Sequence, residues 1–421
     1  MPSVWIVNHY AQGPDLPGGT RHYELARRLA DRGWTVTLIA SSFHHATRTQ
    51  SASSPRRGRV EQTDGLSILW VPSRTSYRVN DASRATNMLE FALRARLLGC
   101  SRLGRAIPQP DVVVGSSPHL FAAWAAAGLA ARFRVPFVFE VRDLWPETIV
   151  QMGVLPRRHP IVCALAVIER RLYRRAAQIV SLLPSIGDYL RPLGIATDNL
   201  AVVPNGVDLA AFAARPQRPL VGPLRVVYVG AHGPANGLGN ILSAAANLAD
   251  GIEVEFHLTG SGPEKAALVE RARTEGLASV HFHDAVPKSG VPEILAGADV
   301  LLLNYARIGI GKYGISPNKL WEYMAAARPV VFAHEAAEDP VQAAQCGLSV
   351  PPEDPDALAA AIAQLAAMSA EERQAMGERG RAYVAAHHDW DLLAARLAGV
   401  LEGVIARRVM GPRRERTTDV D

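Results

Sequence analysis

The chain has 421 residues, of which 48% are hydrophobic and 20% are charged, and its formal net charge is +5. This length suits two domains with large buried cores and argues against a small disulfide-stabilised module. The three cysteines are odd in number and far apart, which disfavours a disulfide framework or a zinc site and fits a reducing cytosol.

No signal peptide is expected, because residues 3–8 already have the pattern of a buried strand with no basic segment before it. The longest apolar run, Leu120–Ala131, is too short and too rich in alanine to span a bilayer. The sequence therefore predicts a protein that is soluble or lies on a surface.

Positive charge is concentrated in the first half of the chain. Residues 1–205 contain 25 arginines, no lysine and 14 acidic residues, a net charge of +11, whereas residues 206–421 carry −6. This asymmetry indicates an anionic partner: a membrane surface, a diphosphate-bearing acceptor or nucleic acid. The basic residues are not interleaved with aromatic ones, which argues against nucleic acid. An arginine-biased composition is the alternative explanation.

The first elements form a predicted βαβ unit of an α/β protein. Val4–Val7 is a buried strand, Thr20–Arg32 an amphipathic helix and Thr35–Ala40 the next strand. The loop between the first two ends in Gly18 and Gly19, which allow close approach of the backbone to a ligand. A Gly-x-Gly-x-x-Gly motif and an acidic residue after the second strand are missing, which disfavours a nicotinamide site.

Two segments of the first half suit contact with a surface. Residues 44–65 are rich in Ser, Arg and Thr and predict a mobile loop, and residues 82–103 predict a basic amphipathic helix. Such a helix either lies on an anionic membrane or packs on its own sheet. The arginines of this helix and of a second basic helix are Arg84, Arg94, Arg96, Arg102, Arg170, Arg171, Arg174 and Arg175.

Charged residues follow the predicted strand Pro136–Val141 directly. Arg142, Asp143 and Glu147 lie in the run Arg-Asp-Leu-Trp-Pro-Glu at its carboxyl end, where open α/β sheets bind ligands. The structural alternative is a buried Arg–Asp pair that holds the loop.

A second domain is predicted to open with the strand Leu224–Val229. The glycine-rich turn after this strand contains Gly230, His232 and Gly233, and such a turn before a helix favours a phosphate. A linker is expected just before, in the proline-rich stretch 206–223.

The most informative stretch is Gly309–Val331. Its glycines, including Gly311, make a flexible loop, and Ser316 is predicted as the N-cap of a helix with Pro317 at the first position. The N-terminal N–H groups of that helix and the ammonium of Lys319 then favour an anion. Asn318 and Glu322 share one helix face, where the Glu322 carboxylate is placed to accept hydrogen bonds from a ribose diol. Together these features predict a nucleotide-diphosphate site, although a capped helix with a solvated Glu322 is the simpler alternative.

The run Ser-Pro-Asn-Lys-Leu-Trp-Glu-Tyr-Met-Ala-Ala from residue 316 resembles the donor-site helix of retaining glycosyltransferases of family 4. Within that family it is similar to the branch of bacterial N-acetyl-fucosaminyl and O-antigen polysaccharide transferases, as is Asp-Leu-Trp-Pro-Glu from residue 143. The resemblance implies the GT-B fold, two Rossmann-like domains facing across a cleft. The expected division is an acceptor-side domain, a linker, a donor domain, a helix returning to the first domain and a disordered tail, over residues 1–205, 206–223, 224–390, 391–409 and 410–421.

The resemblance also implies roles for the residues named above. Gly18, Gly19, Gly230, His232, Gly233, Gly311, Ser316, Asn318, Lys319 and Glu322 would bind a nucleotide-sugar donor, with UDP as the expected nucleotide. Asp143 and Glu147 would bind or activate the acceptor, a lipid-linked or polysaccharide precursor, and Arg142 would hold a sugar or phosphate where many relatives carry histidine. No metal and no cofactor are expected, because the predicted strand-end loops contain no Asp-x-Asp pair. The expected location is the cytoplasm, peripherally on the inner face of the membrane.

The chain also departs from the family's pattern. Ala231 and Asn236 stand where relatives place an arginine and a lysine for the diphosphate, and Gly314 replaces a glutamate that touches the donor sugar. These departures keep two alternatives open: a nucleotide-sugar 2-epimerase on the same fold, and a non-catalytic sugar-binding protein.

Overall fold

A computed structural model describes residues 1–13, 20–45, 47–50, 58–77, 82–212, 222–249, 251–307 and 309–410. The chain divides into two compact units. The first contains Met1–Leu182, Gly187–Val203 and the chain from Asp391 onward, and the second contains Leu183–Ile186 and Pro204–Trp390.

The first unit is built on a mostly parallel sheet. The strands of this sheet are β1 Ser3–Val7, β2 Thr35–Ser41, β5 Arg59–Thr63, β6 Leu66–Val71, β7 Val112–Ser116, β8 Phe137–Val141, β9 Gln178–Ser181 and β10 Leu200–Val202. The short strands β3 Phe43–His44 and β4 Thr49–Gln50 form a separate antiparallel pair. Within the described residues the sheet order is β10-β9-β8-β7-β1-β2-β6-β5, and only the β5–β6 pair is antiparallel. Val4 pairs with both Val36 and Val112, which puts the fully buried β1 at the centre.

Helices cover this sheet in the usual alternation of a Rossmann-like unit. They are α1 Arg21–Asp31, α2 Ala82–Arg96, α3 Arg102–Arg105, α4 Leu120–Phe133, α5 Glu147–Gln151, α6 Pro160–Arg175 and α7 Ile186–Leu190. The alanine-rich α4 packs against both α2 and α6, because its small side chains allow close approach from either side.

The second unit has an all-parallel sheet in the order β13-β12-β11-β14-β15-β16. Its strands are β11 Leu224–Val229, β12 Val254–Thr259, β13 Val280–His283, β14 Val300–Asn304, β15 Val330–Ala333 and β16 Gly347–Val350. Its helices are α8 Gly239–Ala246, α9 Lys265–Thr274, α10 Val291–Ala296, α11 Asn318–Ala325, α12 Pro340–Ala344, α13 Pro355–Ala366 and α14 Ala370–His387. The predicted class, α/β with two Rossmann-like domains, is confirmed.

The last helix, α15 Trp390–Met410, belongs to the first unit from Asp391 onward. Leu393, Leu397 and Leu401 are at most 4% exposed, and the Arg407 Nη2 donates to Gln178 Oε1 at 2.9 Å. The predicted return of this helix to the first domain is therefore confirmed.

Two local predictions were wrong, and a third is not tested. Residues 59–63, expected within a mobile loop, form β5, because Asp64 and Gly65 both adopt positive φ and make a tight hairpin turn to β6. The helix predicted over 82–103 ends at Arg96, and after a 3₁₀ turn Ser101 caps the separate helix α3. The predicted tail lies outside the described residues from position 411.

Candidate functional site

Each sheet has one point where the strand order reverses, and the candidate site residues gather at both. In the second sheet this point lies between β11 and β14, and in the first between β1 and β7. Open α/β sheets bind ligands outside the carboxyl ends of strands at such switch points.

At the switch point of the second unit, Lys319 reaches from α11 to the turn after β11. Its Nζ donates to Asn236 Oδ1 at 2.7 Å and to the Tyr228 hydroxyl at 3.0 Å. The ammonium also lies 4.9 Å from the centre of the Tyr228 ring, within the range of a cation–π contact. The lysine therefore brings a positive charge to a glycine-rich turn that has no cationic side chain of its own between residues 230 and 238.

Gly230 is required by this arrangement. A Cβ atom there would lie 2.7 Å from Lys319 Nζ and 2.8 Å from the Tyr228 hydroxyl. Burial lowers the pKa of Lys319 to about 8, and the Glu322 carboxylate opposes that shift. The ammonium is thus poorly solvated, which strengthens its attraction for an anion.

The turn that receives Lys319 is held by an asparagine from the neighbouring strand. Asn304 Nδ2 donates to the carbonyls of Asn236 and Gly237 at 2.7 and 2.9 Å, and Asn240 donates to Asn304 Oδ1. A cavity of 640 Å³ lies beside the same turn and includes Asn240 and Arg271 in its lining. Lys319, Glu322 and His232 do not line it, so we do not place the donor there.

Ser316 does not cap α11. Its hydroxyl accepts a hydrogen bond from the Asn205 amide at 2.7 Å, its carbonyl accepts from Asn205 Nδ2, and Pro317 is the N-cap without a side-chain bond. The N-cap prediction was wrong because the helix begins one residue later, at Asn318, and the Ser316 hydroxyl instead binds Asn205, more than a hundred residues earlier. The early N–H groups of α11 are therefore left without a side-chain cap from Pro317.

Glu322 lies on the second turn of α11 and forms an ion pair with Lys288. The side chain of Glu322 is 12% exposed and that of Lys288 is 48% exposed. The loop before α11 is folded back on itself, since the Gly311 carbonyl accepts from Gly314 and Ala337. Gly314, with φ of +90°, sits against Pro184, so a larger residue is strained there.

His232 is fully buried and its backbone pairs with Ser261 and Glu264. Its two ring nitrogens have no hydrogen-bond partner among the described residues. Burial lowers its pKa, and Lys265 and Lys319 lower it further, so the imidazole is neutral near pH 7. His232 therefore brings no positive charge to the turn, although a neutral imidazole can still donate one hydrogen bond.

In the first unit, a buried network fixes the loop after β1. Glu140 pairs with Arg21 at 2.9 Å and with His22 at 2.6 Å, and Asn8 bonds His22 and Ser116. Burial raises the pKa of Glu140, but His22 and Arg21 outweigh it and hold this pKa well below its usual range. The ion pairs join α1 to β8, and the hydrogen bonds of Asn8 and Ser116 add the ends of β1 and β7 to the same network.

Beside this network lies a cluster of imidazoles and aromatic rings. The Ala122 amide donates to His119 Nδ1, and burial lowers the pKa of His119 to about 3. The ring is therefore neutral with its proton on Nε2, which donates to His9 Nδ1 at 2.7 Å. His9 stacks on Tyr10, which stacks in turn on His45 with ring centres 4.4 Å apart.

Arg142 and Asp143 lie at this end of the sheet, as predicted. The Arg142 amide donates to Ser117 Oγ at 3.2 Å, and its Nε has no partner among the described residues. Desolvation raises the pKa of Asp143, while Arg142 and Arg84 oppose the rise. Arg84 also bonds the Tyr10 hydroxyl at 3.4 Å, so Asp143 shares an environment with the aromatic cluster.

Glu147 is held differently. Its carboxylate, 5% exposed, accepts from Arg157 and Gln151 at 2.7 Å each. These bonds tie α5 to the segment before α6 and give Glu147 a structural role; its acceptor role stays a prediction. Gly18 and Gly19 lie outside the described residues.

Gly233 lies as expected in the turn after β11. Asn318 holds the first position of α11, which was predicted for Pro317. No group of three or more His, Cys, Asp and Glu side chains in the described ranges could bind a metal ion. Independence from metal stays a prediction.

Several polar residues of these sites were not assigned to them from the sequence, although Arg84 was named as part of a basic helix. They are Asn8, His9, Tyr10, His45, Arg84, His119, Tyr228, Lys288 and Asn304. Position along the chain could have identified four of them from the sequence. Each lies at or just after the carboxyl end of a buried strand: His9, His119, Tyr228 and Asn304. Arg84 and Lys288 carried no such signal, since both lie at or beside the starts of helices.

Comparison with known proteins agrees with this architecture. Residues 18–206 match the family described as "Glycosyl transferase 4-like domain", and residues 223–368 match "Glycosyl transferases group 1". A curated relative, the "Putative colanic acid biosynthesis glycosyltransferase WcaL" of Escherichia coli K12, is 26% identical over 240 residues. That match covers 56% of this chain and 59% of the relative, so the two are alike over little more than half of their lengths.

Solved structures match along almost the whole chain. Sucrose-phosphate synthase from Thermosynechococcus elongatus has a TM-score of 0.76 at 17% identity, over 96% of this chain and 100% of its own. Anabaena Alr3699/HepE in complex with UDP-glucose has a TM-score of 0.65 at 15% identity, over 95% and 99%. At these identities the likeness shows the fold alone. With the two domain families covering both units, the chain belongs to the glycosyltransferases of the GT-B fold.

Proposed function

We propose that this protein is a retaining glycosyltransferase that moves a sugar from a nucleotide sugar, most simply a UDP-sugar, to a lipid-linked or polysaccharide precursor. The observation that carries the proposal is the position of Lys319, whose ammonium meets the turn after β11 at the switch point of the donor-side sheet. A cation, a glycine-rich turn and an uncapped helix start converge there, which suits a diphosphate.

The proposed chemistry asks the protein for positioning and for charge stabilisation. As the bond from sugar to diphosphate breaks, negative charge grows on the leaving phosphate, and Lys319 and the first N–H groups of α11 are the groups suited to stabilise it. Asp143 would hold the acceptor hydroxyl, and Arg142 a sugar or phosphate oxygen. In a front-face transfer the leaving phosphate takes the acceptor proton, so no protein nucleophile is assigned.

The choice of UDP rests on a likeness. The fold is shared with Anabaena HepE, which was solved with UDP-glucose. A polysaccharide of the cell envelope, such as an O-antigen, is the proposed product class, because the relative WcaL is named for colanic acid biosynthesis.

We further propose that the first unit rests on an anionic membrane surface at the cytoplasmic face, beside a lipid-linked acceptor. Leu89, Leu93 and Leu97 recur every four residues and are 44%, 47% and 64% exposed. On α6, Ile161 and Val167 are 55% and 48% exposed, with exposed arginines further along the helix. Exposed apolar side chains beside arginines suit both the interior and the charge of such a surface.

The contact would be peripheral. No helix among the described residues is long and apolar enough to cross a bilayer. Leu98, beside Leu97, is only 3% exposed and does not belong to this surface.

A panel of UDP-, GDP- and TDP-sugars in a thermal-shift assay tests the donor. We expect stabilisation by UDP and its sugars above the other nucleotides. Turnover then separates the alternatives: a transferase releases UDP only with an acceptor, a 2-epimerase interconverts the donor without one, and a binding protein does neither. Stabilisation by none of the nucleotides would contradict the proposal.

A further inference from the structure

Lys288 and Glu322 join two parts of the second unit that are 34 residues apart. Lys288 begins the 3₁₀ turn Lys288–Gly290, immediately before α10, and Glu322 lies on α11. The pair therefore links the segment after β13 to the helix that carries Lys319.

Stability does not explain this pair. With Lys288 48% exposed, the ion pair is largely solvated, and such pairs contribute little to folding. The exposed pair Arg273–Glu270 joins residues of one helix, whereas this one crosses between two elements, as Lys265–Asp284 and Arg307–Glu353 also do.

The geometry of the carboxylate is more informative. Lys288 Nζ contacts Oε1 of Glu322, and Oε2 has no hydrogen-bond partner within the described parts of the chain. Glu322 is only 12% exposed, so this free oxygen is held in a confined position one turn behind Lys319. A carboxylate oriented in this way by one oxygen can accept from a ligand hydroxyl with the other.

We infer that Lys288 is a positioning residue for nucleotide binding: it fixes the Glu322 carboxylate so that this group accepts hydrogen bonds from the ribose diol of the donor. The inference rests on the proposed function, since it assumes a ribonucleotide in this site. A glutamate side chain loses rotamer freedom when it is ordered. Lys288 would impose that order before the nucleotide arrives, which leaves more of the binding energy for affinity.

The test compares binding of UDP and 2′-deoxy-UDP by calorimetry. The proteins are the wild type, Lys288→Ala, Lys288→Arg, Glu322→Ala and the double Ala variant. We expect the wild type to prefer UDP, and Lys288→Ala to reduce that preference about fivefold while binding of the deoxynucleotide is unchanged. Lys288→Arg should restore most of the preference, and the double variant should bind like Glu322→Ala alone.

Arg273→Ala, which breaks an exposed ion pair on α9, is the matched control and should alter neither affinity. Equal losses for both nucleotides in Lys288→Ala, or tighter UDP binding when the pair is broken, would overturn the inference. If the wild type prefers UDP but Lys288→Ala behaves like the wild type, the proposed function stands and the inference fails. If calorimetry detects no binding of UDP to the wild type, the same comparison is made with GDP and 2′-deoxy-GDP. Absence of binding to UDP and to GDP overturns both the inference and the donor assignment.

Discussion

Lys319 donates a hydrogen bond to Asn236, 83 residues earlier in the chain, at a distance of 2.7 Å. In the family pattern the position of Asn236 carries a lysine. Here the side chain at that position is an acceptor, and the ammonium arrives from α11 instead. The positive charge beside this turn is thus supplied by α11 and not by a residue of the turn itself.

Nucleotide affinity should depend on pH through this lysine. Burial lowers the pKa of Lys319 to about 8, so the ammonium is charged at about pH 7 and becomes neutral as the pH rises through 8. Affinity for UDP is therefore expected to fall between about pH 7 and pH 9. Calorimetry at several pH values measures this.

The matched variant is Lys319→Arg, because arginine stays charged throughout this range. Its affinity should be nearly independent of pH. A wild-type affinity that stays constant to pH 9 would show that Lys319 does not meet the phosphates.

Replacement of Glu322 by alanine should weaken donor binding by about 10²-fold or more, because up to two charge-assisted hydrogen bonds to the ribose are lost, each worth roughly 1.5–3 kcal/mol. The fold should survive, because the ion pair that is lost involves the half-exposed Lys288 and contributes little to stability. Calorimetry with UDP and a thermal unfolding curve provide the two readouts. An alanine variant with unchanged affinity would remove Glu322 from the site.

Activity should persist in EDTA. The proposed phosphate contacts are an ammonium and backbone N–H groups, and these need no divalent cation to neutralise the diphosphate. The measurement is UDP release before and after chelation. Loss of activity that manganese or magnesium restores would contradict this model of the site.

Binding of the first unit to vesicles should require both charge and apolar contact. Each arginine near an anionic surface is worth about 1 kcal/mol, and the attraction fades within roughly 8 Å at physiological salt. Co-sedimentation with phosphatidylglycerol vesicles should thus be strong at low salt and weak at high salt. Changing Leu89, Leu93 and Leu97 together to serine should reduce binding at low salt.

Val269→Ser is the matched control, since Val269 is 42% exposed but lies on α9 of the second unit. This variant should bind vesicles like the wild type. A wild type that ignores anionic vesicles at low salt would favour an acceptor without a lipid.

Glu169 should make the protein less stable as the pH rises. Burial raises the pKa of this carboxyl to about 8, although hydrogen bonds from Tyr189 and Tyr173 oppose the rise. The unfolded chain releases the proton near the usual pKa, whereas the folded chain keeps it until about pH 8. The stability that the protonated Glu169 carboxyl contributes is therefore fully present below about pH 4.5 and is lost progressively up to about pH 8.

Glu169→Gln resembles the protonated carboxyl and removes this titration. At about pH 8 the variant should be more stable than the wild type by roughly 1–3 kcal/mol. Urea unfolding at pH 6 and pH 8 gives the comparison. An equal difference at the two pH values would indicate a packing effect instead.

Local patterns predicted the order of strands and helices and the helix that carries Lys319 and Glu322. Buried strands such as β1 and β14 are continuous apolar runs, and α11 has a clear apolar face, so hydrophobic pattern alone identifies them. The prediction that α15 returns to the first unit rested on the family resemblance and not on a pattern in the residues.

The side-chain partners could not be predicted in this way. Lys288 meets Glu322, Asn205 meets Ser316 and Arg84 meets Tyr10 because the folded sheets bring distant residues together. Nothing in the sequence around either member of such a pair identifies the other. The β5–β6 hairpin is different, since Asp64-Gly65 is a recognised turn signal and could have been used.

The placement of α15 has a consequence for synthesis of the chain on the ribosome. Apart from the short segment Leu183–Ile186, the second unit is one continuous insertion from Pro204 to Trp390. The two ends of this insertion lie side by side, where the Val207 amide donates to the His388 carbonyl at 2.8 Å. The first unit is complete only when the apolar face of α15 has been translated and has covered it. The amino-terminal half must therefore wait for roughly two hundred further residues, which at about 5–20 residues per second takes at least ten seconds. During that time the second unit can finish folding first.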